Sequence, residues 1–207
     1  MPAHFKLNYS GLNYLISSSE ACLSRNFILH LLRHNIYSSA SMSQLESVCG
    51  MDKKRLTKTV YQMLKQGWLS SVDEIEGDQP AIMKTIIKNG FTKQLSKLSL
   101  TDSAMLVDMN GLVISKTGFS GIQTSYLAAS ATSLILINET AQKRNKELCN
   151  DSPWSLDLKW GRLEVTAQLI CLGSLKFILV IGGNPVLDNN AFFQLIAMLT
   201  RRYSLEQ

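Results

Sequence analysis

Residues 45–69 read LESVCGMDKKRLTKTVYQMLKQGWL, and two helices joined by a tight turn account for every punctuating residue in them. Leu45 and Val48 supply the inward side of a first helix that ends at Gly50, a residue that takes positive φ at little cost. Asp52 is placed to cap the next helix, its carboxylate accepting from free backbone N–H groups. In that helix Leu56, Val60, Met63 and Leu64 recur at helical spacing and make one apolar stripe. Lys53, Lys54, Arg55, Thr57, Lys58 and Tyr61 fall largely off it. Gly67 ends the helix, and Trp68-Leu69 begins an extended run.

Working outward, residues 24–36 (SRNFILHLLRHNI) form an earlier helix with Phe27, Ile28, Leu31 and Leu32 inward. Downstream, residues 70–75 and 81–87 alternate loosely around Glu76-Gly77-Asp78-Gln79-Pro80, a turn-rich tip, and read as a hairpin. Helix, helix, turn, helix, hairpin is an order that resembles the winged helix-turn-helix superfamily. The matching positions are Leu45, Gly50, Met51, Asp52, Leu56, Val60, Met63, Leu64, Gly67 and Leu69. The resemblance implies a helix that enters a DNA major groove, with Lys53, Lys54, Arg55, Thr57, Lys58 and Tyr61 as its DNA-binding residues. Winged helices also dock proteins, and a lysine-rich solvated face is the plainer reading of the same residues.

Charge agrees with either reading. The formal net charge is +5. Residues 1–98 hold 12 Lys+Arg against 7 Asp+Glu, and residues 99–207 hold 9 of each, so the whole excess lies in the first half. A local basic excess is what phosphate attraction requires. Asp73, Glu74, Glu76 and Asp78 oppose it at the wing tip, and Lys84 and Lys88 only partly offset them.

Beyond residues 96–101 the element order changes. A strand at 103–108 leads into Asn110-Gly111, a strong hairpin signal, and a return strand at 112–116. A long helix follows from about 122 to 148, its first half rich in small residues (Ala128, Ala129, Ser130, Ala131, Ser133) that would admit a second helix. Strands at 155–160, 162–171 and 176–181 come next, the last a continuous apolar run typical of a central strand covered on both faces. A helix at 187–203 closes the chain, with a short one expected at 91–98. This order, with SAMLVDMNGLVISKTG at its start and KFILVIGGN before the last helix, resembles the Roadblock/dynein light chain domain. The resemblance covers about 91–205 and is best at Asp108–Val113. It implies a five-stranded antiparallel sheet that dimerises, with paired long helices, in scaffolds that act with small Ras-like GTPases.

The expected architecture is therefore α+β: an arm at 1–21, a winged helix-turn-helix domain at 22–90, and a Roadblock-like dimerisation domain, a five-stranded antiparallel α/β sandwich, at 91–207. Residues 1–21, with Tyr9, Leu12, Tyr14 and Leu15, read as an arm packing on a partner subunit or as a partly ordered terminus.

Catalytic signals are missing. There is no phosphate-binding glycine loop and no dinucleotide fingerprint. Gly118-Phe119-Ser120-Gly121 lacks the second spacer of a nucleophile elbow. Gly182-Gly183 reads as a turn rather than a phosphate contact. His30 and His34 have the i, i+4 spacing of a zinc pair, but Cys22 and Cys49 are poorly placed to complete it, and surface histidines are expected. All three histidines lie in the first half. No enzyme, cofactor or metal is expected. The four scattered cysteines read as buried thiols, no apolar run approaches a membrane span, and no secretory signal opens the chain, so a cytoplasmic location is expected. Two functions follow: a dimeric DNA-binding regulator whose partners are double-stranded DNA and a second copy, or a protein-only adaptor pairing with a small GTPase or another Roadblock-like protein.

Overall fold

A computed structural model describes residues 4–72, 90–144, 155–160 and 163–204. They fall into two compact units: Met1–Leu15, Glu20–Thr85 and Ile196–Gln207 in the first, Ile16–Ser19 and Ile86–Leu195 in the second.

The first unit begins with strand β1 (His4–Leu7) and helix α1 (Tyr9–Ile16), followed by α2 (Leu23–Arg33), β2 (Ala40–Ser41), α3 (Met42–Cys49), α4 (Lys53–Lys65) and β3 (Leu69–Val72). The residues read as an arm thus form a strand and a helix. β1 lies between β2 and β3 in an antiparallel sheet of order β2-β1-β3, with Phe5 opposite Ala40 on one side and Ser71 on the other. Burial of Phe5, Leu7, Leu12 and Leu15 explains why this segment is part of the unit. Polar contacts fasten it to the α4–β3 turn. The Asn8 backbone N–H donates to Trp68 O, while Asn8 Nδ2 and Ser10 Oγ both donate to Gly67 O. Gly11 permits the close approach: a Cβ there would lie 2.6 Å from Trp68 O. The Tyr14 and Trp68 rings stack at 3.7 Å, and the Arg25 guanidinium sits 4.4 Å over Tyr14.

The helical part follows the sequence reading. Phe27, Ile28, Leu31 and Leu32 of α2 are buried with Leu45 of α3 and Leu56, Val60 and Met63 of α4. Gly50, at φ +60, closes α3, and Asp52 Oδ1 accepts from the Arg55 N–H at 2.9 Å. Val48 and Leu64, both expected inside, are only half-buried, because the stripe on each helix is narrower than its apolar composition suggests. Only the first strand of the expected wing falls partly within the described residues, as β3; the tip and the return strand lie outside them.

The second unit contains α5 (Gly90–Leu95), β4 (Ala104–Asp108), β5 (Val113–Thr117), α6 (Gly121–Arg144), β6 (Ser155–Trp160), β7 (Leu163–Leu172) and β8 (Leu175–Gly182), and α7 (Asn190–Ser204) starts in it. Five antiparallel strands pair in the order β5-β4-β8-β7-β6. β8 is the middle strand, and Phe177 to Gly182 are all buried, as its unbroken apolar run requires. α6 lies on one face: Leu127, Ala128, Ala131 and Ile135 pack with Met105, Val107, Val165, Ile178 and Val180. α5 lies on the other, where Thr92 Oγ and Ser115 Oγ are 3.0 Å apart, whereas neighbouring Lys116 points the opposite way and donates to Thr124 of α6.

The β4–β5 hairpin departs from the two-residue turn that Asn-Gly usually makes. Only Gly111 has positive φ (+80°); Asn110 does not, so the turn is not type I′. Gly111 N donates to Asp108 O, and Asp108 Oδ1 accepts from the backbone N–H groups of Asn110 and Leu112, each at 2.8 Å. An aspartate that satisfies two turn amides favours this longer connection, residues 109–112, over a two-residue one.

Candidate partner-binding surfaces

Two surfaces stand out, one in each unit. The first is α4. Lys53, Lys54, Arg55, Lys58 and Tyr61 are exposed there, Tyr61 at 68%. The structure therefore brings five of the six residues read as DNA-binding to solvent on one helix. Thr57 is half-buried, and its hydroxyl donates to Lys53 O at 2.8 Å within the helix.

Between these side chains lies a cavity of about 730 Å³. Its apolar lining comes from Phe5 of β1, Met42 of α3, and Val60 and Leu64 of α4. Lys53, Lys54, Lys58 and Tyr61 line it too, and since all four are exposed they form its rim. Sequence reasoning missed this groove because Phe5 lies some fifty residues before α4, and only the pairing of β1 with β2 and β3 carries it there. Leu64 could have signalled it: a leucine at the edge of the core stripe that stays half-buried marks apolar surface left over.

The second surface is the outer side of α6. Ile122 is 80% exposed, Tyr126 51%, Leu136 44% and Ile137 65%. With Ala129 and Ser133, also exposed, they recur every three or four residues opposite the side that meets the sheet. Ala128 and Ala131, expected to admit a neighbouring helix, face inward and admit the sheet instead; Ala129 and Ser133 are the small residues on the outer side.

Other candidate groups do not converge. The His30 and His34 rings are 6.4 Å apart, and His30 is half-buried rather than on the surface, with a buried Nδ1 that has no partner among the described residues. Burial, then the Arg33 and His34 charges, depress its pKa. Among the described residues no three His, Cys, Asp or Glu side chains gather where they could hold a metal ion. None of the helices described is long and apolar enough to cross a membrane. Cys22 Sγ caps α2, accepting from Arg25 N, and lies 3.2 Å from Tyr14 Oη. Burial alone would raise its pKa, but these hydrogen bonds and the Arg25 charge outweigh that and lower it.

No protein-family model matches the chain, and no curated protein matches it. Among solved structures, a Roadblock/LC7 domain from Streptomyces avermitilis aligns with 58% of this chain and 98% of its own, at 16% identity and a TM-score of 0.42. A second Streptomyces Roadblock/LC7 domain covers 55% of this chain and 94% of its own, at 19% identity and a TM-score of 0.33. Myxococcus xanthus MglB covers 56% of this chain and 86% of its own, at 19% identity and a TM-score of 0.34.

Proposed function

We propose that the protein is a dimeric adaptor whose second unit is Roadblock-like and pairs through α6, presenting a surface to a small Ras-like GTPase or to another Roadblock-like protein. The observation that carries this reading is the outer stripe of α6. A helix already buried on one side has no reason within its own unit to place Ile122, Leu136 and Ile137 in water. A 3–4 repeat of apolar and small residues is the pattern with which two helices pack along a common seam. The GTPase partner rests on the resemblance carried by Asp108–Val113 and the strand order. Light scattering on the purified full chain tests the dimer: twice the monomer mass is expected at micromolar concentration, and a monomer there refutes it.

A second reading, a DNA-binding regulator built on a winged helix, is favoured by the exposed cationic side of α4. Lys53, Lys54, Arg55 and Lys58 would neutralise phosphates, and Lys53, Lys54 or Thr57 would reach base edges, with Tyr61 beside them. A gel shift with the triple change Lys53→Ala, Lys54→Ala, Lys58→Ala tests it. Because all three are exposed, the melting temperature should not move; DNA affinity that also stays put dismisses the reading.

A further inference from the structure

We propose that the groove along α4 is a docking site for an acidic amphipathic helix of a partner protein. This rests on the adaptor reading and gives the first unit a ligand of stated chemistry. The lining runs from Lys53 to Leu64, twelve residues of α4, whose Cα atoms span about 16 Å along the groove. That is the length of three helical turns, enough for anchors at i, i+3 or i+4, and i+7. The lining's own chemistry selects the rest. Met42 and Leu64, both half-buried, offer apolar contact over a floor of buried Phe5 and Val60, which an aliphatic stripe satisfies. Phosphates cannot, base edges offer only isolated thymine methyls, and a duplex seated on the lysines would leave most of this surface without an apolar partner.

The rim selects the charge. Lys53, Lys54 and Lys58 line the groove, and among the described lining residues none is acidic. No described carboxylate pairs with these ammonium groups. Glutamates flanking an apolar stripe would meet them across the rim, steering the encounter and fixing the orientation. Tyr61, large, aromatic and 68% exposed, adds an aromatic face at the rim for a docked helix to cover. A small amphiphile is the poorer fit, because four exposed side chains leave the groove open along its length, whereas small-ligand sites enclose most of their ligand.

The probe is a fluorescent helical peptide of roughly 18 residues, about 27 Å long, with leucines on one stripe and glutamates flanking it. A second peptide replaces every glutamate with lysine. Anisotropy with the full chain should show the glutamate peptide binding at least about tenfold more tightly than the lysine peptide. Tyr61→Ala should weaken it by about tenfold or more. The triple reversal Lys53→Glu, Lys54→Glu, Lys58→Glu should invert the preference toward the lysine peptide. All four residues are exposed, and an unchanged melting temperature shows that each variant is folded. Peptide affinity that none of the variants changes overturns the proposal. So does an inert glutamate peptide alongside a duplex of about 20 base pairs whose binding is lost in the triple variant. Light scattering on the same samples separates the two claims: a dimer that ignores the peptide refutes only the groove, and a monomer that binds it refutes only the pairing.

Discussion

Ile137 offers the sharpest test of pairing through α6. It is 65% exposed, and replacing it with alanine removes three side-chain carbons. At about 0.8 kcal/mol for each buried carbon, scaled by the fraction still open to water, the loss is about 1.6 kcal/mol per copy. A twofold interface holds the residue twice, so the pair loses about 3 kcal/mol, roughly two decades in the dimer dissociation constant. The monomer should not suffer, since alanine is the best helix former and the site is in water. Sedimentation equilibrium over a concentration series measures the constant, with circular dichroism for the fold. Leu100→Ala is the control: Leu100 is 71% exposed but lies off α6. A dissociation constant within about threefold of the parent for Ile137→Ala, a change of only ~0.6 kcal/mol, would refute the reasoning. So would an equal effect from Leu100→Ala.

Three further outcomes follow from local geometry. Gly118→Ala should cost about 2 kcal/mol or more in denaturant unfolding, because Gly118 sits at φ +71 and a Cβ there would lie 2.6 Å from Asp102 O and 2.7 Å from Ser103 Cα. Asp108→Ala should cost about 1 kcal/mol by the same assay, since two turn amides lose their acceptor but can still find water. Iodoacetamide at mildly alkaline pH should modify Cys22 before Cys49, as judged by peptide mass mapping. Burial pushes the Cys49 thiol up to about 11, so it stays protonated while Cys22, whose pKa is lowered, supplies thiolate. The same shift fixes the sign at high pH. A group held protonated by folding stabilises the protein fully below its unfolded value, and that contribution is lost as pH rises through about 11.

Where a residue's structural role is set by neighbours within four positions, it can be read directly from the chain. Asp52 caps α4 with its own side chain, Gly50 turns the backbone beside it, and Leu56, Val60 and Met63 share a face through helical geometry alone. The capping boxes at Ser41–Gln44 and Ser120–Gln123 are equally local, although the sequence reading did not use them. Asp108–Gly111 is legible as a turn, although its length depends on which amides the aspartate reaches.

Long-range pairing is different, because alternation in a four-residue strand says nothing about its partner. His4–Leu7 reads as part of an arm or of a partly ordered terminus, yet burial of Phe5 and Leu7 and its ladders to β2 and β3 make it the middle of a sheet. The groove on α4 exists only because that pairing delivers Phe5 to a helix whose lysines are plain in the sequence. α6 poses the same question in another form. It is apolar on two sides, and helical periodicity cannot say which side meets the sheet. Packing against Met105, Ile178 and Val180 buries Leu127, Ala131 and Ile135, and so leaves Ile122 and Ile137 in water, on the side through which pairing is proposed.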